Sequence, residues 1–323
     1  MKKIFLIVFL AGLIGLTVGL SPALAYQIEE NPDMEVKGDF LLGPGKMELW
    51  LDPGESVTRT ISITNRLGKE MTFRVEIEDF TGSRDPTETI RLLGEEKGPY
   101  SLRDYLKPEV KEFTLAHGQR IVLPVEISIP QDAEPGGRYG AVIIATTPPK
   151  TEEGEEKEPR PAVVIIARLA NLFFVRVKGE VIEDGFLKEF KTERRFYEKG
   201  PIPFELLSEN NGNVHLAPYG LIEIYNILGR KVDEIELDPW FAMPDSLRLR
   251  ETKWNRDFLF GRYTALASVN RGYQDIIDQK SINFWVVPWK IILAGLVMLF
   301  LVIWFFRWIF SKFEIKRKTP QQP

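Results

Sequence analysis

Only two histidines, His117 and His215, occur in the 323 residues, and there is no cysteine. A zinc centre needs several imidazole or thiolate ligands at short spacing, and neither histidine has such a companion. His117 precedes Gly118 in a turn, so both histidines read as structural. A hydrolase of the common kinds needs a nucleophile elbow, and a nucleotide site needs a glycine-rich loop between strand and helix; the chain has neither. Asp79, Asp85 and Asp104 could act as carboxylate catalysts, but loop carboxylates of an acidic protein ordinarily serve as solvated surface. Glu76 and Glu78, two residues apart on the wet face of one strand, could offer oxygens to Ca²⁺, again against the plainer account of a charged surface.

Aromatic residues in loops supply flat apolar faces that stack on sugar rings. Tyr100, Tyr105 and Trp240, the last within Trp240-Phe241-Ala242-Met243-Pro244, are therefore the candidate ligand-contacting residues. Core packing competes for them, because sandwiches without disulfides need large apolar residues near their loop ends. The sequence thus points to no catalytic residue, no cofactor and no metal.

The elements that would position these residues are strands. Met47 to Leu51, Val57 to Asn65 and Met71 to Ile77 alternate apolar with polar residues, the signature of an antiparallel sheet with one wet face. Turn chemistry separates them at Asp52-Pro53-Gly54-Glu55 and Asn65-Arg66-Leu67-Gly68. A less regular stretch, 82–108, holds one helical turn that Ser101 could cap. Strands resume over 112–115, 119–129 and 138–146. An acidic run without apolar residues, 148–161, reads as a loop between the last of these and a long apolar strand at 162–177. A second set covers 181–192, 202–208, 215–225, 231–237, 246–250, 262–270 and 276–286, seven strands as an immunoglobulin-like sandwich requires.

The two ends set the compartment. Lys2 and Lys3, the apolar stretch Ile4 to Leu20 and Ala23-Leu24-Ala25 form a signal peptide over 1–25. Sixteen uninterrupted apolar residues, Ile291 to Phe306, lie within a predicted membrane helix over 287–310, flanked by Trp285, Trp289, Trp304 and Trp308 at the positions of an aromatic belt. A basic tail over 311–323 follows, which by the positive-inside rule puts the C-terminus in the cytoplasm and everything before the helix outside. Setting aside the eight basic residues and one acid beyond 26–286 leaves 34 Lys+Arg against 45 Asp+Glu, a formal charge of −11. That charge excludes nucleic acid as an electrostatic ligand. An exported chain without cysteine fits a bacterial surface better than an oxidising eukaryotic one.

Several segments resemble the WxL-interacting cell-surface protein family of bacteria. They are Leu49-Trp50-Leu51-Asp52-Pro53-Gly54-Glu55 with Ile63-Thr64-Asn65, Phe113 to Gln119 through Ile129-Pro130, and Pro135-Gly136-Gly137-Arg138-Tyr139-Gly140. Asn210 to Leu216 and Leu228 to Val232 are similar to the second domain of distant members. The resemblance implies a signal peptide, a peptidoglycan-binding first domain, a second Ig-like domain, a C-terminal membrane span and a WxL-domain surface protein as partner.

The expectation is all-β: two tandem Ig-like sandwiches over 36–178 and 179–286, plus one C-terminal transmembrane helix. Its function would be non-catalytic binding or scaffolding of cell-wall glycan or another surface protein at the cell membrane. Two alternatives stay open, a membrane-tethered envelope hydrolase and an extracytoplasmic assembly factor that pairs strand edges with exported clients.

Overall fold

The computed structural model describes residues 26–147 and 166–312. The expected signal peptide, the acidic loop and nearly all of the basic tail lie outside the described residues. Contacts divide the described chain into two units. Unit 1 comprises 26–82, 90–182 and 212–214, and unit 2 comprises 83–89, 183–211 and 215–312.

Unit 1 carries β1 (Gln27–Glu30), β2 (Phe40–Gly43), β3 (Lys46–Leu51), β4 (Ser56–Asn65), β5 (Met71–Thr81), β6 (Arg91–Leu92), β7 (Leu106–Pro108), β8 (Glu112–Leu115), β9 (Gln119–Ser128), β10 (Gly136–Thr146) and β11 (Arg168–Val177). They form two sheets, one in the order β1-β9-β4-β2 with β7 also on β9, the other β3-β11-β10-β5-β6 with β8 also on β5. Period-two alternation sends Ile61 and Ile63 of β4 and Ile121, Leu123, Val125 and Ile127 of β9 into the same interior as Phe73, Val142, Ile144 and Phe173 of the facing sheet. Phe73 touches Phe40 and Phe113 there, with ring centroids 5.1 and 5.5 Å apart.

Unit 2 carries β12 (Gly185–Thr192), β13 (Phe196–Tyr197), β14 (Ile202–Asn210), β15 (Tyr219–Asn226), β16 (Lys231–Leu237), β17 (Ser246–Trp254), β18 (Gly261–Asn270), β19 (Ile277–Val286) and the helix α1 (Trp289–Lys312). A three-stranded sheet, β12-β14-β17, faces β13-β19-β18-β15-β16. Phe204, Phe284, Trp240 and Trp254 fill the space between. Both units are thus Ig-like β-sandwiches, built without disulfides.

Some boundaries differ from the sequence expectation. Residues 181–184 precede β12, and His215 to Pro218 contribute only the bridge of Leu216 to Ala242 before β15 begins. The helical turn of the irregular stretch is a single 3-10 turn, Arg103–Tyr105, without a side-chain cap. Ser101 does not cap it, because Ser101 is engaged in a bridge with Tyr139. The orphan N–H groups of that turn go instead to a buried carboxylate: Asp79 Oδ1 accepts from Leu102 and Arg103, both at 3.0 Å, while Oδ2 accepts from Gly98 at 3.0 Å.

Unit 2 has its own electrostatic anchors. The Arg271 guanidinium grips Asp278 through Nε and Nη2, and this bond raises the arginine further above its ordinary range. Glu209 lies between Lys188 at 2.9 Å and Arg84 at 2.6 Å. Chiefly through the Lys188 hydrogen bond, its carboxyl is held below its ordinary value of 4.5.

Helix α1 is apolar on all sides, and none of its most apolar stretch is buried. Its 24 residues span about 36 Å at about 1.5 Å each, enough to cross a bilayer by length and composition.

Two outcomes are expected. Asp79→Ala strands one buried and two half-buried backbone donors and should cost about 3–5 kcal/mol in denaturant unfolding, with Asp79→Asn milder because one oxygen remains. Glu209, with its folded pKa depressed, contributes stability above the unfolded value and loses it as pH falls through the folded one. Stability should therefore decline as pH drops from about 5 toward 3, and Glu209→Gln should flatten that acid limb in melts recorded across pH.

Candidate strand-pairing edge

A sheet edge presents unpaired N–H and C=O groups, so its exposure is itself a binding chemistry. In unit 1, besides the outer edge of β1, one structural event leaves two further stretches open. The chain runs along β2 in one sheet, breaks at Gly43-Pro44-Gly45 and continues as β3 in the other. Proline has no N–H to offer a ladder and glycine no side chain to pack, so the strand cannot continue through this tripeptide in one sheet. Each half therefore covers only part of its edge. β2 pairs with Ser62 to Asn65 of β4 and leaves Ser56 to Ile61 without a strand partner on that side. β3 pairs in parallel with Leu172 to Val177 of β11 and, among the described residues, leaves Arg168 to Asn171 without one.

The register states which groups of β11 face outward. Leu172 donates its N–H to Gly45 O at 3.0 Å, so it points away from β10, and with period two so do Ala170 and Arg168. The residues between them face β10: Ala167 O accepts from Thr146 N at 3.0 Å. Asn171, fully buried, turns its side-chain amide to Pro44 O and closes the point where β3 begins.

The two open stretches differ in chemistry. Ser56, Thr58, Arg59 and Thr60 make the β4 edge polar and charged, which blunts pairing. The β11 edge carries exposed apolar side chains, Ile166 at 49% and Leu169 at 41%. Its one charge, Arg168, is drawn sideways over the sheet by Glu78 at 2.5 Å and Glu76 at 2.8 Å, which raise its pKa further. In unit 2 the corresponding edges are guarded. β17 turns Arg248 and Arg250 toward the half-buried side and receives Ser83 O on the N–H of Leu247, while β16 bears Lys231, Asp233, Glu234 and Glu236.

The residues singled out for chemistry are not gathered anywhere. Tyr100 stacks edge-on to Tyr139 at 6.1 Å, and its carbonyl accepts from Tyr139 N. Tyr105 packs against the unit 1 core. Trp240, 5% exposed, belongs to the core of unit 2. The Glu76 and Glu78 pair faces Arg168 and Arg74, so the Ca²⁺ idea has cations where a cation would bind. Asp85 caps its own turn through Thr87 N and Oγ1, and Asp104 pairs with Lys97 at 2.6 Å. His117 accepts from Gly68 N through Nδ1 and donates to Met34 O through Nε2. Among the described residues no cluster of carboxylate, imidazole or thiol groups could hold a metal.

No family model matches the chain, and no curated protein matches it. Solved structures do resemble it. The class 5 fimbriae chaperone CfaA is 12% identical, with 77% of this chain and 100% of that one covered at a TM-score of 0.35. The CsuC–CsuE chaperone and tip subunit pre-assembly complex of Acinetobacter baumannii gives 11%, 76%, 98% and 0.36. The Salmonella enterica SafA pilin in complex with the SafB chaperone gives 12%, 76%, 96% and 0.31. The likeness is distant and concerns fold class alone. It corrects the WxL-interacting assignment and the partners that came with it, cell-wall glycan and a WxL-domain surface protein. The three neighbours are described as chaperones of fimbriae or pili.

The quoted motifs misled because they satisfy needs of any such sandwich. Asn65 bonds Lys69 O, Leu115 O and Leu67 N, so the Ile-Thr-Asn signature is a turn. A side chain at Gly137 would collide with the ring of Tyr139, so the Pro-Gly-Gly-Arg-Tyr signature is packing. Gly43-Pro44-Gly45 marks a strand break in the sequence, but only the long-range pairing shows which edges that break leaves open.

Truncating a core tryptophan separates packing from ligand contact. Trp240→Ala should lower the stability of unit 2 by about 3–5 kcal/mol in thermal or denaturant unfolding. A normal melt would show that its ring is not part of the core.

Proposed function

We propose that the chain is a membrane-tethered extracytoplasmic assembly factor that holds exported protein subunits by strand addition at the open edge of β11. One observation carries this reading: among the described residues the stretch Arg168 to Asn171 of β11 has no strand partner on its outer side and exposes Leu169 next to Ile166, whereas the open stretch of β4 in the other sheet is polar. Arg168 and Ala170 offer outward N–H and C=O groups to a client strand, and Ile166 and Leu169 offer apolar surface for its alternate side chains. Helix α1 would serve as the anchor, with the sandwiches outside and the basic tail inside. The chaperone–subunit complexes named above are fold-level company for this reading and do not supply its residues.

The edge geometry provides a selective test. The N–H of Ala170 faces the open side, so Ala170→Pro removes a donor with no partner among the described residues. The full-length variant should unfold within about 1 kcal/mol of the parent. A photoreactive residue at Leu169 should crosslink to an exported protein in intact cells, and Ala170→Pro should abolish that adduct. An adduct of equal strength in the proline variant, or no exported partner at Leu169, would overturn strand addition.

A further inference from the structure

The end of unit 2 that leads into α1 is unlike the rest of its surface. β19 finishes at Val286, and α1 begins three residues later at Trp289. The register brings other loops to the same end. Gly261 pairs with Val286, which places the loop 255–260 there, and Asn226 pairs with Tyr263, which places the turn 227–230 there. Phe196 of β13 pairs with Trp285. These loops expose large apolar residues to an unusual degree: Leu228 at 75%, Phe258 at 73% and Phe260 at 63%, joined by Phe196, Trp285 and Trp289. A soluble domain gains nothing by presenting such a crown to water.

Basic groups stand among them. A cavity of about 690 Å³ opens at this end, lined by Lys191, Arg195 and Arg262 together with Phe196, Asn283 and Trp285. Lys191 has Glu205 at 3.4 Å and Glu189 at 3.7 Å, but no carboxylate pairs with Arg195 or Arg262 among the described residues. The rim is fixed to the helix. Trp285 N donates to Arg195 O and Val287 N to Tyr197 O, each at 2.8 Å, and Lys290 of α1 pairs with Glu198 at 3.0 Å. Whatever medium receives α1 therefore receives this crown as well.

We infer that this end of unit 2 is a membrane-docking face, in which the aromatic and aliphatic loop tips enter the interfacial layer and the Lys191, Arg195 and Arg262 cavity takes an anionic phospholipid headgroup. The inference rests on the reading of α1 as a membrane span. Aromatic side chains favour the headgroup level, and cations near an anionic leaflet gain electrostatic energy that neutral lipid does not supply. The occupant is the lipid surface itself, because the crown is continuous with the only described helix that could cross a bilayer.

The absence of cysteine makes the test direct, since any introduced cysteine is the sole labelling site. Full-length Leu228→Cys, Phe258→Cys, Gln279→Cys and Met298→Cys would each carry an environment-sensitive fluorophore in nanodiscs of phosphatidylcholine alone or mixed with phosphatidylglycerol. Labels at 228 and 258 should shift to the blue and be quenched by lipids brominated high in the acyl chain, more strongly with phosphatidylglycerol present. The label at 279, seven residues up β19 and about 23 Å away at about 3.3 Å per residue, should emit as in water. The label at 298 should be quenched in both discs. Water-like emission at 228 and 258 with quenching at 298 would overturn the docking face and leave the span intact, whereas water-like emission at 298 would remove the span itself. Arg195→Gln with Arg262→Gln should lower the preference for phosphatidylglycerol by up to about fivefold per charge. An unchanged preference would overturn the headgroup assignment.

Discussion

Every buried or sheet-edge backbone group must find a partner, and a strand that changes sheets can satisfy only part of two edges. In unit 1 that constraint falls on 40–51. The break at Gly43-Pro44-Gly45 assigns the first half to β4 and the second to β11, and the two uncovered stretches follow from it. What the protein does with each is a matter of side chains. The β4 stretch is made unattractive with hydroxyls and Arg59, while the β11 stretch keeps Ile166 and Leu169 in the open and has its charge diverted to Glu76 and Glu78. It is this contrast between the two stretches, together with exposure, that favours β11 in the proposed reading.

The charged groups that first suggest chemistry are employed in holding loops. Asp79 is the clearest case. A fully buried carboxylate would be costly if unpaired, yet three backbone N–H groups converge on it and organise the loop that crosses to Leu102 and Arg103. Arg271, Asp278 and Tyr273 do the same in unit 2, with the Tyr273 hydroxyl bonded to both backbone groups of Gly185. Without disulfides, such polar centres fix the loop ends of cores whose apolar packing alone leaves them free to shift.

The strands were legible because their faces differ: alternation in β4, β5 and β9 is a local pattern, and α1 is a local composition. Helical capping at Ser101 was misread, since the competing bridge to Tyr139 comes from a residue far along the chain. The open edge was illegible for a related reason. Its extent depends on where β3 begins to pair with β11, and the Asn171 contact that marks the spot joins residues 127 apart. Local pattern shows that a segment is a strand; only long-range pairing shows which side of it is left over. The crown beside α1 lies between these cases, because the apolar residues of 255–260 are plain in the sequence but only register places their loop at the helix end.

Energetics links the tether to the edge. Two outward residues, Arg168 and Ala170, offer four hydrogen bonds, which at about 1 kcal/mol net each give about 4 kcal/mol, a millimolar interaction. Burying Ile166 and Leu169 against a client adds about 1.5–3 kcal/mol per side chain at most, before the cost of ordering the client strand. Under the proposed strand addition, an edge of this size would hold a client weakly and release it readily, which suits transfer better than storage. Confining both partners to one membrane surface raises their effective concentration and makes so weak a site sufficient. Under that reading a free-floating sandwich with the same edge would need a longer one, which ties the short open stretch to the membrane anchor proposed for α1.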